Sequence, residues 1–161
     1  MVIKKTLIIA LFSTLFLSSF NKIIDKTSYK CMIQMKNYTG EGAYVVISLL
    51  DNQNKYLETL YVQGDDDEWY SDITEWWNFH GKTRTNIDAI TGATISGGQR
   101  AISVIQIDNN KIDNGYKLRF ESAVEDQEYY TDDVLIELTS ENLKNKLEGK
   151  GFIRYIRMMP Q

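Results

Sequence analysis

The chain of 161 residues holds one cysteine, one histidine and one proline. A lone Cys31 excludes an intramolecular disulfide, so an apolar core must hold the fold. One cysteine and one histidine cannot furnish a zinc site of nitrogen and sulfur ligands. A cysteine–histidine nucleophile pair would need Cys31 and His80 to meet; Cys31 reads instead as a small buried hydrophobe and His80 as a helix-end residue, and no catalytic residue is assigned. Positive charge is also scarce. The formal net charge is −4, which argues against a nucleic-acid partner, since such binding needs a cationic surface.

Long apolar runs are nearly absent too, apart from the N-terminus. There "MVIKKTLIIALFSTLFLSS" shows a basic start at Lys4 and Lys5, an apolar run from Leu7 to Leu17, and small residues at Ser18 and Ser19. That order of parts is the one a secretory signal has, and the run is short for a spanning helix. Leu17 interrupts the small-residue spacing that a signal peptidase reads, so residues 1–19 are a signal peptide or an uncleaved N-terminal membrane anchor. Either way the protein is expected to be exported, to a periplasmic or other extracytoplasmic space. Residues 20–30 are polar and read as a tether, leaving 31–161 as a single domain.

What is abundant is short strand-like sequence, in a chain that is 43% hydrophobic and 12% aromatic. In "YKCMIQMK" the residues Tyr29, Cys31, Ile33 and Met35 recur with period two, as on a half-buried strand. "AYVVISLL" (43–50) is a continuous apolar run and reads as a central strand; "DNQN" then turns the chain into "KYLETLYVQ" (55–63). "RAISVIQI" (100–107), "YKLRFESAVE" (116–125), "DDVLIEL" (132–138) and "GFIRYIRMM" (151–159) follow, with Tyr116, Leu118 and Phe120 alternating against Lys117, Arg119 and Glu121. Seven short strands without a βαβ rhythm predict an all-β antiparallel sandwich.

One segment departs from that pattern. After the acidic run "GDDDE" (64–68), Asp72 and Glu75 have the spacing of a helix N-cap and its partner, and Ile73, Trp76, Trp77 and His80 share one helical face. One short helix ending near Gly81 is expected. Trp76 and Trp77 read as core plugs, or else one indole stays accessible as a platform for a planar ligand, with Tyr70 a further ring contact. The acidic runs at 64–68 and 108–115 cluster oxygen ligands, but the second lacks the acid that closes an EF-hand loop; both read as solvated turns and no metal is assigned.

The barest stretch is "DAITGATISGG" (88–98). Gly92 and Ala93 leave the backbone before Thr94 unobstructed, so another enzyme's active site can close over the chain and reach its hydroxyl. Composition permits a modification site there; a tight turn is the plainer reading. The residues "DAITGATIS" resemble the acceptor sequence of covalently flavinylated bacterial electron-transfer proteins. In those, an FAD:protein FMN transferase esterifies the last threonine of a Ser/Thr-Gly-Ala-Thr core to the phosphate of flavin mononucleotide (FMN). The resemblance implies Thr94 as acceptor, with Thr91, Gly92 and Ala93 as the core and Asp88 as the leading residue that the transferase recognises.

A second resemblance covers most of the chain. The order of "GAYVVISLLDNQNKYLETLYV", "EWYSDITEWW", "DAITGAT" and "NGYKLRFESAVEDQEY" is similar to a family of predicted periplasmic proteins of unknown function (domain of unknown function 2271). It implies an immunoglobulin-like (Ig-like) sandwich in an extracytoplasmic compartment. The family's frequent Trp-Asp-Gly turn is replaced here by "QIDNN" (106–110). Together the resemblances imply an exported flavin carrier with covalent FMN on Thr94. Its partners would be the transferase and membrane or extracytoplasmic redox proteins. The alternative is a cofactor-free binding or structural module of the cell envelope.

Overall fold

The computed structural model describes residues 25–161. The signal or anchor expected at 1–19 and the start of the expected tether lie outside the described residues. Nine strands follow: β1 (Lys26–Met35), β2 (Tyr44–Leu50), β3 (Tyr56–Gln63), β4 (Thr91–Gly92), β5 (Arg100–Asp108), β6 (Lys117–Ala123), β7 (Tyr129–Glu137), β8 (Lys146–Glu148) and β9 (Ile153–Pro160), with one helix, α1 (Thr74–Thr83). They form a four-stranded sheet in the order β5-β1-β9-β8 and a five-stranded sheet in the order β4-β3-β2-β6-β7. All ladders are antiparallel except the two-residue pairing of β3 with β4.

The expected all-β sandwich is therefore what the chain forms. The seven anticipated strands are all present, and the two others, β4 and β8, are too short to show a period. β1 starts at Lys26, inside the stretch expected to be a tether.

Between the sheets lies a core that includes Cys31, Ile33, Ile47, Leu118, Phe120 and Ile156. A second cluster covers the outer face of the five-stranded sheet, where Tyr70, Ile73 and Trp76 sit over Val46 and Val62. These two layers explain the uninterrupted run of β2. Val45, Ile47 and Leu49 face the other sheet, Val46 faces the helix layer, and every residue from Val45 to Leu50 is buried. A strand covered on both sides has no solvent-facing alternation.

The helix corrects one expectation. Asp72 is not its N-cap: it closes the 3₁₀ turn Asp67–Asp72, and Ile73 holds the cap position without a side-chain bond. The helix does end near Gly81, two residues beyond it. It runs to Thr83, and Arg84 closes it in the left-handed region (φ 42°), its N–H donating to the His80 carbonyl at 2.7 Å. Gly81 is internal because the Trp77 indole lies across it, 2.8 Å from where a Cβ would stand.

Candidate functional site

Most of the bare loop has a packing reason to be bare. Thr91 and Gly92 pair with Val62 and Gln63. The Tyr61 hydroxyl donates to the Thr91 carbonyl at 3.3 Å, and a Cβ on Gly92 would stand 2.6 Å from that hydroxyl. Ile95 is buried and exchanges both backbone bonds with Ala43, at 2.8 and 3.0 Å. Gly97 presses on the backbone of Tyr38, whose carbonyl would lie 2.1 Å from a Cβ, and Gly98 has φ +74°. Only Gly fits such approaches without strain.

No such role falls to Ala93 and Thr94. Both are exposed, held between the paired Gly92 and the buried Ile95. Thr94 lies over Gly42, where a Cβ would come within 2.2 Å of its Oγ1, so the glycine leaves room for the threonine side chain. Thr91, by contrast, is half-buried as a residue, and its hydroxyl donates to the Asp88 carbonyl at 3.2 Å.

Thr94 forms part of the wall of a cleft of about 430 Å³, which Trp69, Tyr44 and Tyr129 also line. That volume lies within the range of small-molecule sites. Trp69 keeps 37% of its surface exposed. The cleft's charged groups are all carboxylates: Glu41, Asp72, Glu125 and Asp126.

The motif is split between two clefts. Asp88 and Thr91 line a second one, of about 370 Å³, with Trp77, His80 and Arg84. There Asp88 is exposed; its carboxylate accepts from the Asn86 side-chain amide at 3.1 Å and its own N–H donates to Asn86 Oδ1 at 3.0 Å. The 3₁₀ turn Asp67–Asp72 contributes to both clefts.

The expected ring contacts are redistributed. Trp76 is fully buried, donates to Thr59 Oγ1 at 2.9 Å and stacks on His80 with centroids 4.7 Å apart. Tyr70 is buried and donates to the Gly64 carbonyl at 2.9 Å. Both are core. Trp77 is half-buried in the second cleft, with Arg84 over its ring at 5.6 Å. Trp69, which sequence reasoning passed over as a ring contact, is the indole beside Thr94. Its signal was available: it precedes the apolar stripe of α1 and directly follows the acidic run, where no helical face claims it.

Cys31 and His80 do not meet. Cys31 is between the sheets with its thiol pushed up to about 12 by burial. His80 sits in the helix layer, its pKa lowered by burial and then by Arg84. Among the described residues no group of three or more His, Cys, Asp or Glu is placed to hold a metal ion.

A buried carboxylate went unread in the sequence. Glu121 of β6 is fully buried and accepts from the hydroxyls of Tyr56 and Tyr129. Arg119 Nη1 donates to the Tyr56 hydroxyl at 3.2 Å, and its Nε lies 2.9 Å from Asp132 Oδ1. Burial raises the Glu121 pKa to about 7, against the opposing pull of the two tyrosines, Arg119 and the Trp76 amide. Glu121 has no exposed surface, so it is part of the scaffold rather than a group that touches substrate.

The model of a family described as predicted periplasmic protein (DUF2271) matches residues 26–155, and the chain belongs to that family. No curated protein and no solved structure matches it.

Proposed function

We propose that this member of a periplasmic family is a flavin carrier, with FMN held covalently on Thr94. The observation that carries the reading is the exposure of Thr94 on the wall of an aromatic cleft. The rest rests on the likeness of "DAITGAT" to the acceptor sequences of flavinylated proteins.

In the attachment step Thr94 Oγ1 bonds to the FMN-side phosphorus of FAD, the pyrophosphate bond breaks, AMP leaves, and the hydroxyl proton passes to a base of the transferase. Thr94 is the acceptor and Asp88, exposed on the neighbouring cleft, is a contact for the transferase. When bound, the flavin supplies electron transfer between extracytoplasmic or membrane redox proteins, and the domain positions and tunes it. Trp69, Tyr44 and Tyr129 offer a planar ring aromatic surface beside the attachment point. Glu41, Asp72, Glu125 and Asp126 disfavour added negative charge there, and so favour an oxidised, uncharged ring over a reduced, anionic one.

Co-expression with such a transferase, followed by intact-mass measurement, tests the reading. The expected gain is one FMN less water, retained on denaturation and absent from Thr94→Ala. Wild-type protein left unlabelled beside a transferase that modifies a known acceptor would refute it and favour the cofactor-free envelope module.

A further inference from the structure

The outer face of the four-stranded sheet differs from the rest of the surface. Cys31, Ile33 and Met35 of β1 point into the core, so Lys30, Met32 and Gln34 point out. Their ladder partners point the same way. Met32 has Ile102 on one side and Arg157 on the other; Lys30 has Val104 and Met159; Gln34 has Arg100 and Tyr155. Lys146 of β8 pairs with Arg157 and Glu148 with Tyr155.

Three of the most exposed apolar side chains of the molecule lie here: Ile102 (58%), Val104 (48%) and Met159 (39%). Around them stand four cations, Lys30, Arg100, Lys146 and Arg157, and one acid, Glu148, while the opposed pair Lys26 and Asp108 closes the far end of the β1–β5 ladder on the same face. The chain as a whole is at −4. Its acidic groups concentrate on segments carried by the other sheet, namely Asp65 to Glu68 and the four carboxylates of the Thr94 cleft.

We propose that this face lies on the surface of a bilayer containing anionic lipid. Cations interleaved with apolar side chains suit that surface, because long Lys and Arg side chains reach headgroups while Ile, Val and Met enter the acyl boundary. Face-to-face pairing of two copies would bring eight cations together and is disfavoured. The described domain is entered from its N-terminal side through β1, which carries Lys30 and Met32; the apolar run Leu7–Leu17 precedes it. A run held in a membrane places this sheet nearest to it. The acidic cleft with Thr94, on the other sheet, then faces the aqueous side. None of this depends on the flavin reading.

The experiment uses the full chain with Val104→Cys carrying an environment-sensitive dye; buried Cys31, its thiol pushed up to about 12, does not compete for the label. Vesicles of phosphatidylcholine alone are compared with vesicles that also contain phosphatidylglycerol. The dye should shift to the blue on the anionic vesicles only, and salt should reverse the shift. Lys30→Glu with Arg157→Glu should weaken the response at least about tenfold, with Lys30→Gln and Arg157→Gln between. All four substitutions are at exposed positions, and unchanged melting confirms the fold. A dye at Gln53, in the β2–β3 turn, should not respond. No shift, an equal shift on neutral vesicles, or an equal shift at position 53 overturns the proposal. So does a shift without lipid that grows with protein concentration, which would mean that the face pairs with a second copy.

Discussion

The Tyr129 hydroxyl of β7 accepts the backbone N–H of Glu75 in the first turn of α1 at 3.2 Å and donates to the buried carboxylate of Glu121 on β6. A tyrosine hydroxyl held by a β6 carboxylate thus does the capping that Asp72, beside the helix in sequence, does not do. One of the helix's four free N–H groups is satisfied from the sheet below, which restrains where α1 can sit.

This cap makes stability depend on pH. Because the folded pKa of Glu121 is raised from the usual 4.5 to about 7, the native state holds more protons than the unfolded state between those values. Stability is therefore highest below the lower value and falls as pH rises toward 7, by at most about 1.4 kcal/mol per pH unit. Glu121→Gln keeps the shape and removes the titration, so in urea unfolding wild type should gain stability relative to the variant as pH falls from about 7 to about 5. Glu121→Ala strands two tyrosine hydroxyls and should cost about 3 kcal/mol.

Trp76 and Trp69 should separate cleanly. Trp76→Ala empties a fully buried site and removes the stack on His80 and the bond to Thr59; the expected loss is about 3–5 kcal/mol in thermal or urea unfolding. Trp69→Ala removes a partly exposed ring and should cost less than about 1 kcal/mol. Equal losses would contradict the assignment of Trp69 to the cleft wall.

Asp133 of β7 joins the sandwich's two halves. Its buried carboxylate accepts from the Ser122 hydroxyl and from the N–H groups of Gly151 and Ile153, at 2.7 and 2.8 Å for the two amides, just where the chain enters β9. Asp133→Ala leaves both amides without a partner and should cost about 3 kcal/mol or more. Hydrogen exchange at residues 151 and 153 should rise before that of the β1 amides. Uniform acceleration would mean that the carboxylate is not specific to this junction.

The strands were legible because their periods reflect which faces are covered. Tyr29, Cys31, Ile33 and Met35 alternate since β1 has one wet face, and "AYVVISLL" does not since β2 has none. β4 and β8, of two and three residues, carry no period to read. In β6 the alternation was visible but half its meaning was not: Arg119 and Glu121 are buried beneath α1, paired with partners from two other strands, β3 and β7. A cap that crosses between elements is a tertiary fact, and local spacing pointed to Asp72 instead. At the site, Thr94 stood out in sequence while Trp69 did not, because the cleft between them is assembled from β2, the 3₁₀ turn and the β6–β7 loop.

If flavin is attached at Thr94, the cleft geometry makes its optical behaviour predictable. A ring that settles against Trp69 loses fluorescence through contact with the electron-rich indole, and one that stays in solvent does not. Labelled wild-type protein should therefore fluoresce less than the same protein after denaturation, and Trp69→Ala should recover much of the lost signal while incorporating the same mass. Thr91→Ala should label normally, since its hydroxyl is engaged with the Asp88 carbonyl and faces the other cleft. Asp88→Ala should slow labelling without lowering the melting temperature, because its side chain is exposed and bonds only Asn86 nearby. Thr94→Ser keeps an acceptor hydroxyl and should label in part. Labelling that proceeds at Thr94 with fluorescence unchanged by unfolding and by Trp69→Ala would place the ring in solvent: the threonine would then be a tether alone, and the aromatic wall beside it would serve some other contact.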